Sequence, residues 1–121
     1  MDQVRYRSKR EADIAGMLRR HSLDFRYEYP LAVKDREKVR VWYPDFFLPE
    51  QGVLIEYCGL SGNSDYDAGI RHKKSVYSQL GLPALFLIED DFKGYWPDRI
   101  LEWLEDMQKR RLEKVHAVRK S

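Results

Sequence analysis

Cysteine is almost absent from this sequence. Cys58 is the single one in 121 residues, which excludes an internal disulfide framework and any zinc site built from several thiolates. A reduced, cytoplasmic compartment is therefore expected. Long apolar runs are missing too. None approaches the roughly 18 residues of a membrane span, so no membrane role is expected, and the opening stretch has no apolar signal-peptide core. Glycine and proline are sparse, at seven and five. No Gly/Ser linker, low-complexity tract or internal repeat divides the chain, so one small domain over residues 1–121 is expected. A strong excess of one charge is also lacking, with 22 Lys+Arg against 20 Asp+Glu.

What is there points to a folded domain. Hydrophobic residues make up 43% and charged residues 35%, enough for a core inside a heavily charged shell. Aromatic residues at 13% argue against disorder. The small net charge hides an uneven distribution. Residues 1–41 hold eleven Lys/Arg against seven Asp/Glu, net +4; residues 42–106 hold five against twelve, net −7; residues 107–121 hold six against one, net +5. An acidic centre between basic ends fits a metal-binding site framed by a polyanion-binding surface, or simply a mixed solvated surface.

Ser8-Lys9-Arg10-Glu11 has the form of a capping box. Ile14, Ala15 and Leu18 follow it at helical spacing, predicting a helix from Ser8 to about His21. Phe25, Tyr27 and Tyr29 alternate with Arg26 and Glu28 as in a strand, stopped by Pro30. The charged stretch 34–38 reads as a turn. Alternation resumes at Val39, Val41 and Tyr43 and is expected to run on through Asp45 to Leu48 and Pro49. Residues 50–52 form a tight turn before the buried strand 53–58, and residues 59–64 read as a loop. A helix from about Asp65 to Leu80, closed by Gly81 and Pro83, leads to a second buried strand at 84–88. Pro97 opens a last helix with an apolar stripe of Ile100, Leu101, Leu104, Met107, Leu112 and Val115. The order α-β-β-β-α-β-α predicts a hairpin-linked sheet with helices packed on it.

Asp45 and Glu56 are the most informative residues. Each is a carboxylate inside an aromatic or apolar run, and burying one costs several kcal/mol (on the order of 3–5) unless it is paired or binds a metal. Joined by the turn at 50–52, their strands would be antiparallel neighbours and the two groups could converge. Such a pair suits Mg²⁺ or Mn²⁺, hard ions that prefer oxygen ligands. The competing reading pairs each acid with an arginine or places it on a solvated edge. Glu11 either closes the capping box or, sharing a helical face with Ile14 and Leu18, adds a third carboxylate. Lys73 falls in the stripe Tyr66, Ile70, Lys73, Tyr77, so it either reaches a site between helix and sheet or snorkels at the stripe edge. Cys58 shares a face with Glu56. A carboxylate neighbour disfavours a thiolate, so Cys58 reads as a packed residue and not as a nucleophile.

This pattern resembles the PD-(D/E)XK nuclease superfamily. The resemblance rests on Pro44-Asp45, ten residues, then Glu56-Tyr57-Cys58, with the Ser8-x-x-Glu11 helix upstream and the same element order, and it covers about residues 8–90. It implies a restriction-endonuclease-like α+β domain with a mixed central sheet. One position departs from the pattern: the family's lysine normally lies two residues after the glutamate, where Cys58 stands. A subset with an Ile-Glu-Tyr-x-Gly strand end carries the lysine on the following helix in a Tyr-x6-Lys-x3-Tyr pattern. Tyr66, Lys73 and Tyr77 match that spacing.

The resemblance implies metal-dependent phosphodiester hydrolysis. Asp45, Glu56 and the Tyr57 carbonyl would hold Mg²⁺ (or Mn²⁺), Glu11 would ligate directly or through water, and Lys73 would assist at the phosphate. Arg5, Arg7, Lys9 and Arg10 near the first helix, Lys74 on the second, and Lys109, Arg110 and Arg111 on the last would hold a nucleic-acid backbone, with DNA the expected substrate. Such small domains often form homodimers to address two strands. Two other readings compete: a catalytically silent nuclease fold serving as a DNA-binding or protein-interaction module, which Cys58 favours, and an unrelated small binding domain in which Asp45 and Glu56 are structural.

Overall fold

The computed structural model describes residues 4–59 and 64–120. Most of the expected loop at 59–64, residues 60–63, lies outside them. Among the described residues the fold is α+β, with three helices, a mixed four-stranded sheet and a two-stranded sheet. The chain forms two compact units, Met1–Ile88 and Glu89–Ser121.

In the larger unit α1 (Lys9–Arg20) begins where the capping box predicts. Ser8 is the N-cap, and its hydroxyl accepts the Glu11 N–H. The helix ends with Ser22 at φ 55, the Ser22 N–H on the Arg19 carbonyl and the Leu23 N–H on the Leu18 carbonyl. That is the αL closure usually given to glycine. The strands are β1 (Arg26–Tyr27), β2 (Leu31–Asp35), β3 (Lys38–Trp42), β4 (Phe46–Leu48), β5 (Val53–Gly59) and β6 (Ala84–Ile88), with α2 (Ser64–Gln79) between the last two. The main sheet runs β1-β4-β5-β6. Its β1–β4 and β4–β5 pairs are antiparallel, and β5–β6 is parallel across the α2 crossover. Without β2 and β3 the order is αβββαβ, and those two strands form a separate hairpin inserted between β1 and β4.

Three local expectations need correction. The strand expected at 25–29 shrinks to Arg26–Tyr27, because Glu28 turns to φ 51 and gives its N–H to the Asp45 carbonyl. The turn expected over 34–38 tightens to Arg36 and Glu37, at φ 50 and 69, and the flanking residues pair as β2 and β3. The strand expected from Val39 to Leu48 is broken between Trp42 and Phe46. Pro44 has no N–H to donate and restricts Tyr43, while the Asp45 N–H goes to a side chain instead of the ladder.

One face of the sheet meets α2. Leu54 packs there with Val76, Tyr77 and Val33, flanked by Leu31, Trp42, Phe47 and Phe86. The hairpin is fastened to α2 by Asp35, whose carboxylate meets His72 Nε2 at 3.0 Å and Arg40 at 3.6 Å. The His72 hydrogen bond holds the Asp35 carboxyl below its ordinary value. α2 closes as predicted at Gly81, with φ 70 and the Leu82 N–H on the Tyr77 carbonyl.

The second unit holds a 3₁₀ turn (Glu89–Phe92) and α3 (Pro97–Lys120). The stripe expected along α3 is buried at Ile100 and Leu104 but exposed at Leu112 and Val115. Its charged far half carries i,i+4 pairs instead, Lys109 with Glu105 and Arg110 with Asp106.

Ser22→Gly should raise unfolding stability by about 0.5–1 kcal/mol, since glycine meets no Cβ penalty at this φ. Gly81→Ala should lower it by a similar amount. Denaturant midpoints of the two variants check both signs.

Candidate active site

The β4–β5 register builds the site. Phe46 faces Ile55 and Phe47 faces Leu54, so the next pair outward sets Asp45 opposite Glu56. Both side chains share the sheet face of Phe47 and Leu54, the face covered by α2. Asp45 is 9% exposed and Glu56 3%. Each acid holds the backbone of the other's strand. Glu56 Oε1 accepts the Asp45 N–H at 2.7 Å, and Asp45 Oδ2 accepts the Tyr57 N–H at 2.8 Å. The break in the strand thus creates the site, because the free N–H beside Pro44 is what Glu56 takes.

α2 closes the site from above. Lys73 Nζ lies 3.4 Å from Glu56 Oε2, and the Tyr77 hydroxyl donates to the same oxygen at 3.3 Å. One helical turn apart, the two reach one atom. Lys73 keeps its side chain 49% exposed, so the ammonium faces both Glu56 and solvent. Tyr66, at the start of α2, donates to the Cys58 carbonyl.

Burial, and after it the charge of Glu56, pushes the Asp45 carboxyl up to about 7. Glu11 adds to that rise and Lys73 opposes it. Burial likewise lifts the Cys58 thiol to about 11, which leaves it unreactive at neutral pH and agrees with a packed residue.

Glu11 takes up both of the roles open to it only in part. It is buried, one oxygen accepts the Ser8 hydroxyl at 2.8 Å, and the other accepts the Tyr27 hydroxyl. Its charge reaches Asp45, yet among the described residues no three His, Cys, Asp or Glu side chains form a group that could hold a metal ion. Tyr57 meets the pair through its N–H.

The basic residues separate. Arg7 is drawn into the site: it bonds Glu28 at 3.0 Å, lies 3.9 Å from Asp45 Oδ1, and gives its backbone N–H to the Tyr27 hydroxyl. Arg5 and Lys9 are exposed, and Arg10 meets Asp13 at 3.4 Å. Lys74 lies over the ring of Phe86, the β6 partner of Glu56, at 5.3 Å, and makes no ion pair with Glu56 comparable to that of Lys73. Lys109, Arg110 and Arg111 are exposed on α3 in the second unit.

No protein-family model, curated protein or solved structure matches the chain. The site's own chemistry therefore carries the functional argument.

Sequence reasoning did not assign roles to the hydroxyls of Tyr77 and Tyr27 or to Glu28. A tyrosine within a buried stripe is the available signal for Tyr77, since its hydroxyl needs a partner. Glu28 gives none, because its position depends on a positive φ.

The raised Asp45 value has a pH consequence. An unfolded aspartate loses its proton near pH 4, whereas the folded one keeps it to about 7. The folded state binds more protons in that window, so stability falls as pH rises through it, by up to about 1.4 kcal/mol per unit. Chelator-treated protein should show a lower urea midpoint at about pH 8 than at about pH 5. Asp45→Asn should remove most of that difference.

Proposed function

We propose that this protein is a metal-dependent endonuclease of the PD-(D/E)XK type, acting on DNA. The observation that carries the reading is the buried Asp45–Glu56 pair with Lys73 at its open edge. The αβββαβ order of the main unit supports it. So does the arrival of a lysine from α2 at the glutamate, on the side where Cys58 offers no cation.

The donor set fits a divalent cation. Two buried carboxyl groups face each other, and burial first and the charge of Glu56 second raise Asp45. These oxygens, hard donors at a crowded anionic spot, would favour a divalent ion over a monovalent side-chain cation. Asp45, Glu56 and the Tyr57 carbonyl would hold Mg²⁺ or Mn²⁺, with Glu11 contributing through water. When bound, the ion supplies an activated water and takes up charge on the attacked phosphate. Tyr77 and the Asp45 N–H fix the orientation of Glu56, and Lys73 offers a positive charge where the phosphate becomes more negative. Arg7 stands on the Asp45 side of the pair. The cytoplasm is the setting we infer, and a homodimer would present two such sites to two strands.

One observation favours a second reading, a catalytically silent fold that binds DNA or protein. Cys58, a buried thiol, stands where the family's strand lysine belongs.

Plasmid and branched DNA should be cut with Mg²⁺ or Mn²⁺ and left intact in EDTA. Asp45→Asn should lower the rate on the order of a thousandfold, about 4 kcal/mol in barrier, and abolish thermal stabilisation by Mn²⁺. Wild-type turnover in that variant would end the proposal.

Lys73→Ala should lower the rate by about a hundredfold or more while Mn²⁺ stabilisation persists. Lys74→Ala, about 100° around the helix, should change the rate little. Equal losses in the two would assign both lysines to general DNA contact.

A further inference from the structure

We propose that the β2–β3 hairpin is a nucleic-acid-binding arm that lies along a DNA duplex beside the Asp45–Glu56 pair. The proposal rests on the nuclease reading and names a surface that holds the substrate.

The hairpin has two unlike faces. Its register pairs Leu31 with Trp42, Val33 with Arg40 and Asp35 with Lys38 on one side, and Ala32 with Val41 and Lys34 with Val39 on the other. The first face is the attached one. Val33 is buried, Leu31 and Trp42 join the core under α2, and Asp35 is held by His72 and Arg40. The second face has no such cover. Ala32 and Lys34 are exposed, Val39 is 75% exposed and Val41 54%.

Charge decides what this face suits. Lys34 lies on it directly across from the exposed Val39, Arg36 sits in the turn, and Lys38, though on the attached side of the register, is exposed beside that turn. Of the hairpin's two acids, Asp35 is turned inward onto His72, leaving only Glu37 at the solvent. A narrow two-stranded ribbon with an aliphatic strip, Lys34 beside it and a cationic turn at its end suits a groove wall of sugars bordered by phosphates. The same lysines oppose edge-to-edge pairing with another sheet, which weighs against a second copy of this chain as the occupant.

The turn adds an independent observation. Arg36 and Glu37 both adopt positive φ, 50 and 69, in a two-residue turn where Asn-Gly is the unstrained choice. The fold tolerates that cost at an exposed turn and sets an arginine there.

The arm is also rooted at the site. The Trp42 ring lies 5.6 Å from that of Tyr77, whose hydroxyl holds Glu56, and Trp42 precedes Asp45 by only three residues. His72, which grips the hairpin, is the neighbour of Lys73 on α2. The root of the arm is thereby tied to the carboxylate pair.

The test uses the full chain and a short plain DNA duplex, with binding read by fluorescence anisotropy in EDTA so that no cleavage intervenes. The triple variant Lys34→Gln, Arg36→Gln, Lys38→Gln should weaken binding about tenfold or more at about 0.1 M salt. It should also flatten the dependence of log K on log salt by about 0.9 per cation removed. A control with the same charge change elsewhere, Arg20→Gln, Lys93→Gln, Lys114→Gln, should weaken it much less. Val39→Ser with Val41→Ser should weaken it several-fold at an unchanged salt slope. All these side chains are exposed, and circular dichroism checks the fold.

Equal weakening in the triple variant and its control, or no weakening in either, overturns the arm. So does loss of a dimer in sedimentation by the valine variant with duplex affinity unchanged, which would make the face a self-association surface. Arm-dependent binding without metal-dependent cleavage would sustain the arm and defeat the nuclease reading. Cleavage with a KM indifferent to the triple variant would do the reverse.

Discussion

Two carboxylates buried against each other form the constraint on which the larger unit is arranged. Neither Asp45 nor Glu56 can sit alone in that environment, because an unpaired buried charge is among the most costly groups a fold can contain. Each is answered by a backbone N–H from the opposite strand, and Glu56 also by Lys73 and Tyr77. These bonds close the end of the β4–β5 ladder and take up the Asp45 N–H left beside Pro44. The raised Asp45 value reflects its burial first and the charge of Glu56 second.

The supports of the pair divide between the two faces of the sheet. On the α2 side, Tyr77 links Glu56 to Trp42 and so to the hairpin, and Asp35 and His72 tie the hairpin back to α2. On the α1 side, Tyr6, Phe25 and Tyr27 gather around Phe46, and the Tyr27 hydroxyl reaches Glu11 while meeting the Arg7 backbone. Glu11 is thus set by an aromatic cluster and a capping serine. Its charge is felt at Asp45 though its oxygens are already engaged.

Much of the architecture was legible because it depends on short-range rules. Ser8 begins a helix since its hydroxyl can take the Glu11 N–H, and Gly81 ends one since it alone meets no penalty at φ 70. The apolar run 53–58 reads as a central strand because it is covered on both faces. The hairpin was not legible in the same way. Val39 and Val41 alternate like core residues yet face solvent, since alternation names two faces without saying which one is covered. Arg36 and Glu37 lack the residue types of a tight turn, so their charge alone drew the turn too wide.

The sequence by itself determined that Asp45 and Glu56 would be costly to bury, that a short turn would bring their strands together, and that Lys73 would share a helical face with Tyr77. These follow from local composition, the period of two along a strand and the period of 3.6 along a helix. Tertiary structure alone decided that Lys73 rather than Lys74 meets Glu56, that Glu11 is shared with Ser8 and Tyr27, and that Arg7 turns back to Glu28 and Asp45. Each of those depends on how α1 and α2 are rotated against the sheet. That rotation is set by the packing of Val76, Tyr77 and Leu54 on one side and of Ile14, Met17 and Leu18 in the core, where every side chain's position depends on all its neighbours at once.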